Sequence, residues 1–228
     1  MFTVGPSLFG GGRDPFAANV LSLLHFDGSN GSTVFTDQVP GRTWTRTGTA
    51  TISNAQSRFG GTSLSVPISS GLALSSPGAE WLMPGDFSIE CWMYCKDNGG
   101  AAGALTIDTS LGAGVNVGPT SGGFSVSISL STNATRSTGD GGGSIYNRWV
   151  HVFAGRQGTT TYIACNGSMA AFTNETANMG GTVTAVRAGW MASVGGSPLH
   201  FIDELRITKG VCRYTSSFTP PTAPYPNP

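Results

Sequence analysis

Charged residues are scarce in this sequence of 228 residues: only 11% are Asp, Glu, Lys or Arg, whereas average chains carry about 25%. Twelve basic and twelve acidic residues leave no formal net charge, and only two of the basic residues are lysines. A protein that binds the phosphate backbone needs clustered Lys and Arg. The composition therefore argues against a nucleic-acid partner.

Long hydrophobic runs are also missing. No apolar stretch approaches the roughly 20 residues that a membrane-spanning helix requires, and the first residues lack the basic and apolar regions of a secretory signal. We therefore expect that the protein is made in the cytoplasm and does not insert into a membrane.

The four cysteines, Cys91, Cys95, Cys165 and Cys212, lack the Cys-x-x-Cys spacing of a zinc site. Cys91 and Cys95 lie four residues apart in an evident strand, which separates their Cα atoms by roughly 13 Å, beyond the roughly 7 Å limit for a disulfide. We expect buried thiols that act as small apolar side chains. Bridges to Cys165, to Cys212 or to another chain are the alternative.

Alternating apolar residues are the main feature that is present. Such alternation places the apolar side chains on one face of a strand, and the 39% of hydrophobic residues suffices for one large core. The Asn166-Gly167 pair after residues 161–165 predicts a hairpin turn. Together these features predict an all-β antiparallel sandwich or barrel. The apolar rows are Phe87, Ile89, Cys91 and Met93; Phe124, Val126, Ile128 and Leu130; and Phe201, Leu205 and Ile207.

Three zones divide the chain. Residues 1–19 are predicted to be a glycine-punctuated anchoring arm, residues 20–213 one domain, and residues 214–228 a proline-rich tail. The prolines exclude a helix and a central strand, so we expect the tail to be extended. The predicted apolar anchors of the first arm are Phe2, Phe9 and Phe16.

Four motifs, in this order, resemble the concanavalin A-like lectin/glucanase superfamily in its laminin-G-like branch. The resemblance spans about residues 20–215 and implies a jelly roll of two packed antiparallel sheets, flanked by the extended arms. The motifs are residues 23–28, residues 85–92, residues 148–152 with the Asn166-Gly167 turn, and residues 201–207.

The closing segment, residues 203–214 followed by Phe218-Thr219-Pro220-Pro221, resembles the form that this domain takes in virion proteins of tailed bacteriophages. This resemblance implies a non-enzymatic structural or decoration protein of the phage head or tail, located in the virion. Its partners would be other virion proteins and copies of itself. The alternative function is a carbohydrate-binding adhesin that attaches to polysaccharides of the host surface, so that host glycans are its partners.

Asp203 is the most informative charged residue. Strand alternation with Phe201 and Leu205 predicts that its carboxylate points to the apolar side, where an unpaired charge is costly. The resemblance implies that Asp27 lies nearby and that the two carboxylates bind a structural Ca²⁺, a cation that prefers oxygen ligands. The alternative is a salt bridge or a carboxylate bonded by the main chain. Asp37 is a weaker third candidate.

Aromatic residues near predicted strand ends suggest a carbohydrate site, because sugars stack on aromatic faces in sites with a few polar groups. The candidates are Trp44, Trp81, Tyr94 and Trp190, with Asn98, Arg187 and Glu90 as polar companions. The alternative for Trp81 is that it caps the sandwich. Trp92 and Trp149 match positions where the family has core or sheet-covering tryptophans.

Catalytic patterns are missing. The glucanase branch uses a Glu-x-Asp-x-Glu strand to place two carboxylates about one bond, and this sequence has no such pattern. Asp203 and Glu204 are adjacent, so we expect them to point to opposite faces of one strand. We therefore expect no enzymatic activity and no catalytic residue.

Overall fold

A computed structural model of the chain describes residues 13–96, 102–119, 126–130, 135–139, 146–175, 179–189 and 199–228. Of the predicted site residues, Phe2, Phe9 and Trp190 lie outside these ranges. The described residues contain strands and two single-turn 3-10 helices, Ala17–Asn19 and Ala79–Trp81, with no α-helix among them. The prediction of an all-β chain is confirmed.

The strands in chain order are β1 (Val20–Leu24), β2 (Trp44–Thr47), β3 (Thr51–Ser53), β4 (Ser63–Val66), β5 (Gly71–Leu74), β6 (Phe87–Cys95), β7 (Leu105–Thr109), β8 (Gly112–Pro119), β9 (Val126–Leu130), β10 (Thr135–Thr138), β11 (Trp149–Gln157), β12 (Thr160–Cys165), β13 (Ser168–Phe172), β14 (Val183–Ala188) and β15 (His200–Lys209).

Two antiparallel sheets form the predicted jelly-roll sandwich. The eight-stranded sheet has the order β13-β12-β11-β6-β15-β4-β3, and β1 also pairs with β15. The seven-stranded sheet has the order β10-β9-β8-β7-β14-β5-β2. The last strand of the chain therefore lies inside the eight-stranded sheet, between β6 on one side and both β4 and β1 on the other.

The core lies between the two sheets and follows the predicted alternation. Phe87, Ile89, Cys91 and Met93 of β6 are buried in it, together with side chains from the other sheet such as Ile107. Burial of each such side chain contributes about 1.5–3 kcal/mol. All four cysteines are free thiols, and the three in strands β6 and β12 are buried, so the prediction of unpaired, buried thiols holds there.

The Asn166-Gly167 pair turns the chain between β12 and β13 as predicted. Both residues have positive φ, 48° and 78°, the conformation that favours this dipeptide in a two-residue hairpin. A Cβ at residue 167 would clash with the carbonyl oxygen of Phe218. Glycine is thus required both by the turn and by the tail segment that passes over it.

A β-bulge in β15 reverses the predicted alternation. Asp203 pairs with Trp92 and Arg206 with Glu90, so β15 contains one more residue than β6 between these two pairs. The extra residue, Glu204, has a φ of 54°. As a result Ile202 and Leu205 both belong to the core and Asp203 faces away from it. The prediction that Asp203 shares a face with Leu205 was wrong, because alternation fails across a bulge.

Residues 214–228 lie over the face of the eight-stranded sheet that points away from the core, here called the outer face. The segment contains no helix or strand, which agrees with the expected extended chain. Tyr225 is buried and packs with Val20 and Leu23 of β1. Attachment of this segment or of residues 1–19 to other chains stays a prediction.

Candidate functional site

Three rows of side chains cross the outer face on β11, β6 and β15. The first row is Trp149, Tyr94 and Phe201; the second is His151, Trp92 and Asp203; the third is Phe153, Glu90 and Arg206. The tail covers the third row and reaches the second, whereas Tyr94 and Trp149 of the first row keep part of their surface exposed. The outer face therefore has a closed end and an open end.

A buried ion network occupies the closed end. Arg206 donates to Glu90 Oε1 from Nε at 3.0 Å and from Nη2 at 2.7 Å, and its Nη1 lies 3.3 Å from Asp14 Oδ2. Arg213 donates to both oxygens of Asp14, at 2.9 and 2.8 Å. The network, here called the closing cluster, joins Asp14 and Arg213 to Arg206 and Glu90 at the centre of the sheet.

The carboxylates of the closing cluster are ionised. Burial alone would raise the pKa of Glu90, but Arg206, the hydrogen bond with His151 and Arg213 hold this pKa well below its usual range. Burial likewise opposes ionisation of Asp14, yet its contacts with Arg213 keep its pKa below the ordinary value. Neither group is suited to exchanging a proton near neutral pH.

Tyr225 closes the network from the tail. Its hydroxyl lies 2.9 Å from His151 Nε2 and 3.2 Å from Glu90 Oε2, and its main-chain N–H donates to Glu204 Oε2 at 2.8 Å. Glu204 also binds His25 Nδ1 at 2.8 Å. Because Tyr225 lies on the outer face, Glu204 points to the same face as Asp203. The prediction that Asp203 and Glu204 point to opposite faces was therefore wrong, because the bulge interrupts the alternation between them.

Asp27 and Asp203 meet at one turn, as the resemblance implied. Asp203 Oδ2 accepts main-chain hydrogen bonds from Arg58 at 2.8 Å and Phe59 at 3.0 Å, while its Oδ1 is buried with no partner. Asp27 lies against Gly60, where a Cβ would clash with its carboxylate. Burial raises the pKa of Asp203 to about 7, and the charges of Glu204 and Asp27 act in the same direction.

This pair has the chemistry of a partial cation site. Carboxylate oxygens are the ligands that Ca²⁺ prefers, and the free Oδ1 of Asp203 is an acceptor without a donor. The described residues contain no group of three or more His, Cys, Asp or Glu that could hold a metal. Any further ligands would have to come from main-chain carbonyls or water.

Asp37 has a structural role. Its carboxylate accepts hydrogen bonds from Leu23 N, Val39 N, Ser22 Oγ and Trp44 Nε1, at 3.2, 2.9, 2.5 and 2.9 Å. These four donors satisfy both oxygens, so Asp37 joins β1 to β2 and is not placed to bind a cation.

Two of the predicted sugar-stacking residues belong to the core. Trp81 is fully buried, Trp44 is 4% exposed, and their rings pack edge to face with centroids 6.0 Å apart. Neither ring has a face open to a sugar, so the prediction that Trp44 and Trp81 bind carbohydrate was wrong. Each residue lies at the end of an element, but its side chain points into the sandwich. Trp190 lies outside the described residues.

Tyr94 lies at the open end of the outer face. It packs edge to face against Trp149 and Phe201, with ring centroids 5.8 and 6.1 Å apart. We call Tyr94, Trp149 and Phe201 the aromatic patch. Trp149 was assigned from the sequence to a core or covering position; its pairing with Tyr94 across β11 and β6 is a tertiary relationship that no local pattern shows.

The other polar companions do not join the patch. Glu90 is fully buried in the closing cluster, and Arg187 pairs with Asp108 on the seven-stranded sheet. Asn98 lies outside the described residues. A polar group that the sequence did not indicate, Arg58, lies at the neighbouring row, where its guanidinium stacks 4.0 Å from the ring centroid of Trp92.

Comparison with known proteins identifies the class. The laminin-G-type model of the concanavalin A-like lectin/glucanases superfamily matches residues 67–212, and the chain belongs to this superfamily. No curated protein sequence matches the chain. Within the described residues, no helix is long and apolar enough to cross a membrane.

Similar solved structures are binding domains of botulinum neurotoxins. The binding domain of neurotoxin DC, in complex with rat synaptotagmin II, has a TM-score of 0.62 at 13% identity, covering 86% of this chain and 50% of that one. The serotype D ligand-binding domain with N-acetylneuraminic acid has a TM-score of 0.62 at 10% identity, with 86% and 49% covered. The chain thus spans about half the length of these structures, and at this identity the likeness shows the fold alone.

Proposed function

We propose that this chain is a non-enzymatic carbohydrate-binding protein and that sugars stack on the aromatic patch. The observation that carries the proposal is the partly exposed pair of Tyr94 and Trp149 at the open end of the outer face. Partly exposed aromatic rings fixed by neighbouring rings are suited to stacking, because little side-chain entropy is lost on binding.

The family and its neighbours support this proposal. Lectins belong to the same superfamily, and among the structural neighbours one carries bound N-acetylneuraminic acid while botulinum neurotoxin type C depends on two ganglioside molecules for cell entry. The absence of enzymatic activity is part of the proposal. It is supported by the engagement of Glu90, Glu204 and Asp37 in internal hydrogen bonds, which leaves these carboxylates unsuited to attack or protonate a glycosidic bond.

The test is a glycan array probed with a multivalent form of the protein, since weak single sites gain avidity when linked. We expect the protein to bind glycans, and we expect Trp149→Ala and Tyr94→Ala each to lower the affinity by about tenfold or more. Each variant loses an aromatic contact that contributes roughly 0.5–1.5 kcal/mol, together with the contact area of the ring. Val34→Ala, which removes an exposed apolar side chain elsewhere, is the control. Absence of binding to all glycans, or equal binding by all variants, would contradict the proposal.

We also propose that Asp27 and Asp203 hold a structural Ca²⁺. The cation would neutralise two nearby carboxylates at the turn of residues 58–60 and would give Oδ1 of Asp203 a partner. Its role would be to fix this turn, which lies beside Trp92 in the row next to the aromatic patch. The site would be structural, with no part in chemistry.

A second proposed function is that of a virion structural or decoration protein of a tailed phage, in which the carbohydrate-binding face points outward. The support is the resemblance of residues 203–214 and of Phe218-Thr219-Pro220-Pro221. A further support is the position of Asp14, which the closing cluster holds on the domain, so that the predicted arm would start from a fixed point. The position of the chain in a reconstruction of purified particles tests this directly; its absence from particles would refute it.

A further inference from the structure

Two cationic side chains lie on either side of the aromatic patch along β6. Residues at alternate positions of a strand share a face, so Trp92, Tyr94 and the following Lys96 point to the same side. Lys96 directly follows β6, is exposed, and is held at the strand end by its main-chain hydrogen bond to Leu199. Two residues of a strand span about 6.6–6.8 Å, so the ammonium group lies within reach of a ligand stacked on Tyr94.

The cation on the other side is Arg58. Its guanidinium lies over the rings of Trp92 and Phe59, 4.0 and 5.0 Å from the centroids, and its buried Nε has no hydrogen-bond partner. It forms no ion pair with any described residue. The carboxylate of Asp203 accepts a hydrogen bond from the main-chain N–H of Arg58, not from its guanidinium.

Four other arginines have carboxylate partners. Arg206 and Arg213 are neutralised by carboxylates of the closing cluster, and Arg136 and Arg187 pair with Glu175 and Asp108. Arg58 and Lys96, which form no ion pair with a described residue, thus offer two cationic partners beside the aromatic patch. The carboxylates of Asp27 and Asp203 lie at the same turn as Arg58, and the Ca²⁺ proposed there would neutralise them. Cationic partners of this kind favour an anionic ligand.

We propose that the aromatic patch binds an acidic saccharide, with a sugar ring stacked on Tyr94 and Trp149 and its anionic group paired with Arg58 or Lys96. This inference rests on the proposed carbohydrate-binding function and specifies its ligand class. A planar guanidinium can bind a carboxylate or a sulfate through two parallel hydrogen bonds. The anion is therefore a carboxylate or a sulfate group on the sugar.

The test compares saccharides that differ only in the acidic group: a neutral oligosaccharide, its uronic-acid counterpart and its sulfated counterpart. We expect the acidic forms to bind more tightly, with an advantage that shrinks as the salt concentration rises. Preference for the uronic acid over the sulfate, or the reverse, identifies which anion the site takes. Lys96→Gln and Arg58→Gln should each lower the affinity for the acidic form about two- to fivefold, the range expected for an exposed ion pair.

Arg46→Gln, which removes an exposed positive charge from the seven-stranded sheet, is the matched control and should bind as the wild type does. Arg58→Lys, which retains the charge, separates a loss of charge from a loss of packing on Trp92. Equal affinity for the neutral and acidic forms would overturn this inference and leave the carbohydrate-binding function standing. Binding of none of the three saccharides, nor of any glycan on the array, would overturn both.

Discussion

The guanidinium carbon of Arg206 lies 3.8 Å from the ring centroid of Tyr225. Arg206 is in the middle of the eight-stranded sheet, and Tyr225 is three residues from the end of the sequence. The Tyr225 hydroxyl also forms hydrogen bonds with Glu90 and His151. Through these contacts the tail covers a buried charge network. The tail therefore contributes to the stability of the domain.

Replacement of Tyr225 should separate these contributions. Tyr225→Phe removes the hydroxyl and leaves Glu90 with fewer donors, and we expect it to lower the free energy of unfolding by about 1–3 kcal/mol. Tyr225→Ala also removes the buried ring and should cost about 3–5 kcal/mol. Urea unfolding measures both, with the exposed Thr222→Ala as control. Equal stability of wild type and Tyr225→Ala would mean that the tail does not pack on the domain in solution.

Loss of one carboxylate from the closing cluster should be severe. Glu90→Gln leaves the buried Arg206 without its main counter-charge, and removal of one partner of a buried ion pair typically costs about 3–5 kcal/mol. The effect should depend on pH. Because the folded-state pKa of Glu90 is depressed, its stabilisation is present above its unfolded pKa of about 4.3 and is lost as the pH falls below that value.

The measurement is chemical unfolding of wild type and Glu90→Gln between pH 7 and pH 3. The difference in stability between the two proteins should narrow as the pH falls. Asp86→Asn, which changes a carboxylate outside the cluster, serves as the control. A difference that stays constant across this range would show that folding does not lower the pKa of Glu90, and a difference that widens as the pH falls would show that the folded protein holds this carboxyl protonated.

Asp203 should destabilise the metal-free protein as the pH rises. Its pKa of about 7 is above the ordinary value, so the folded state binds a proton more tightly than the unfolded state. The contribution of Asp203 to stability is then highest near or below pH 4, decreases as the pH rises through 7, and is constant above that; the shift corresponds to about 4 kcal/mol at most. Asp203→Asn, which keeps an oxygen acceptor for the two main-chain donors, should remove this decrease.

Calcium provides the test of the proposed cation site. At pH 8, added Ca²⁺ should raise the melting temperature of the wild type, and a chelator should reverse the rise, because a ligand that binds only the folded state stabilises it. Asp203→Asn and Asp27→Asn should abolish the response, whereas Asp37→Asn should be destabilised but should still respond. No shift in the wild type would remove the calcium proposal.

The predicted arm can be tested with a shorter deletion than the zone boundary at residue 19 suggests. Phe16 lies against Arg213, and Asp14 is part of the closing cluster, so both residues belong to the folded domain. Removal of residues 1–12 keeps Asp14 and Phe16 in place and should abolish incorporation into particles. Removal of residues 1–19 should also destabilise the domain by about 3–5 kcal/mol, because Arg206 and Arg213 lose a buried partner. Normal incorporation of the shorter deletion would refute the role of the arm.

The fold could be predicted from the sequence because strand alternation and the Asn166-Gly167 turn are local signals. The direction in which the side chains of β15 point could not be predicted, because the bulge at Glu204 depends on pairing with β6 and no local sequence pattern marks it. The site was predicted in part. Tyr94 lies in the aromatic patch, and Asp27 and Asp203 meet at one turn, but Trp44 and Trp81 are core residues because aromatic type and strand position do not decide which way a ring points.

The position of β15 sets a limit on how early this domain can fold. Strands β6, β4 and β1 are made first, yet each pairs with β15, which is the last of the described strands in chain order. Pairings so distant in the chain are slow to form, and until they do, sheet edges and core side chains stay exposed to other molecules. The nascent domain is thus open to misassembly until β15 has been made, and a chaperone would be most useful to it in that interval.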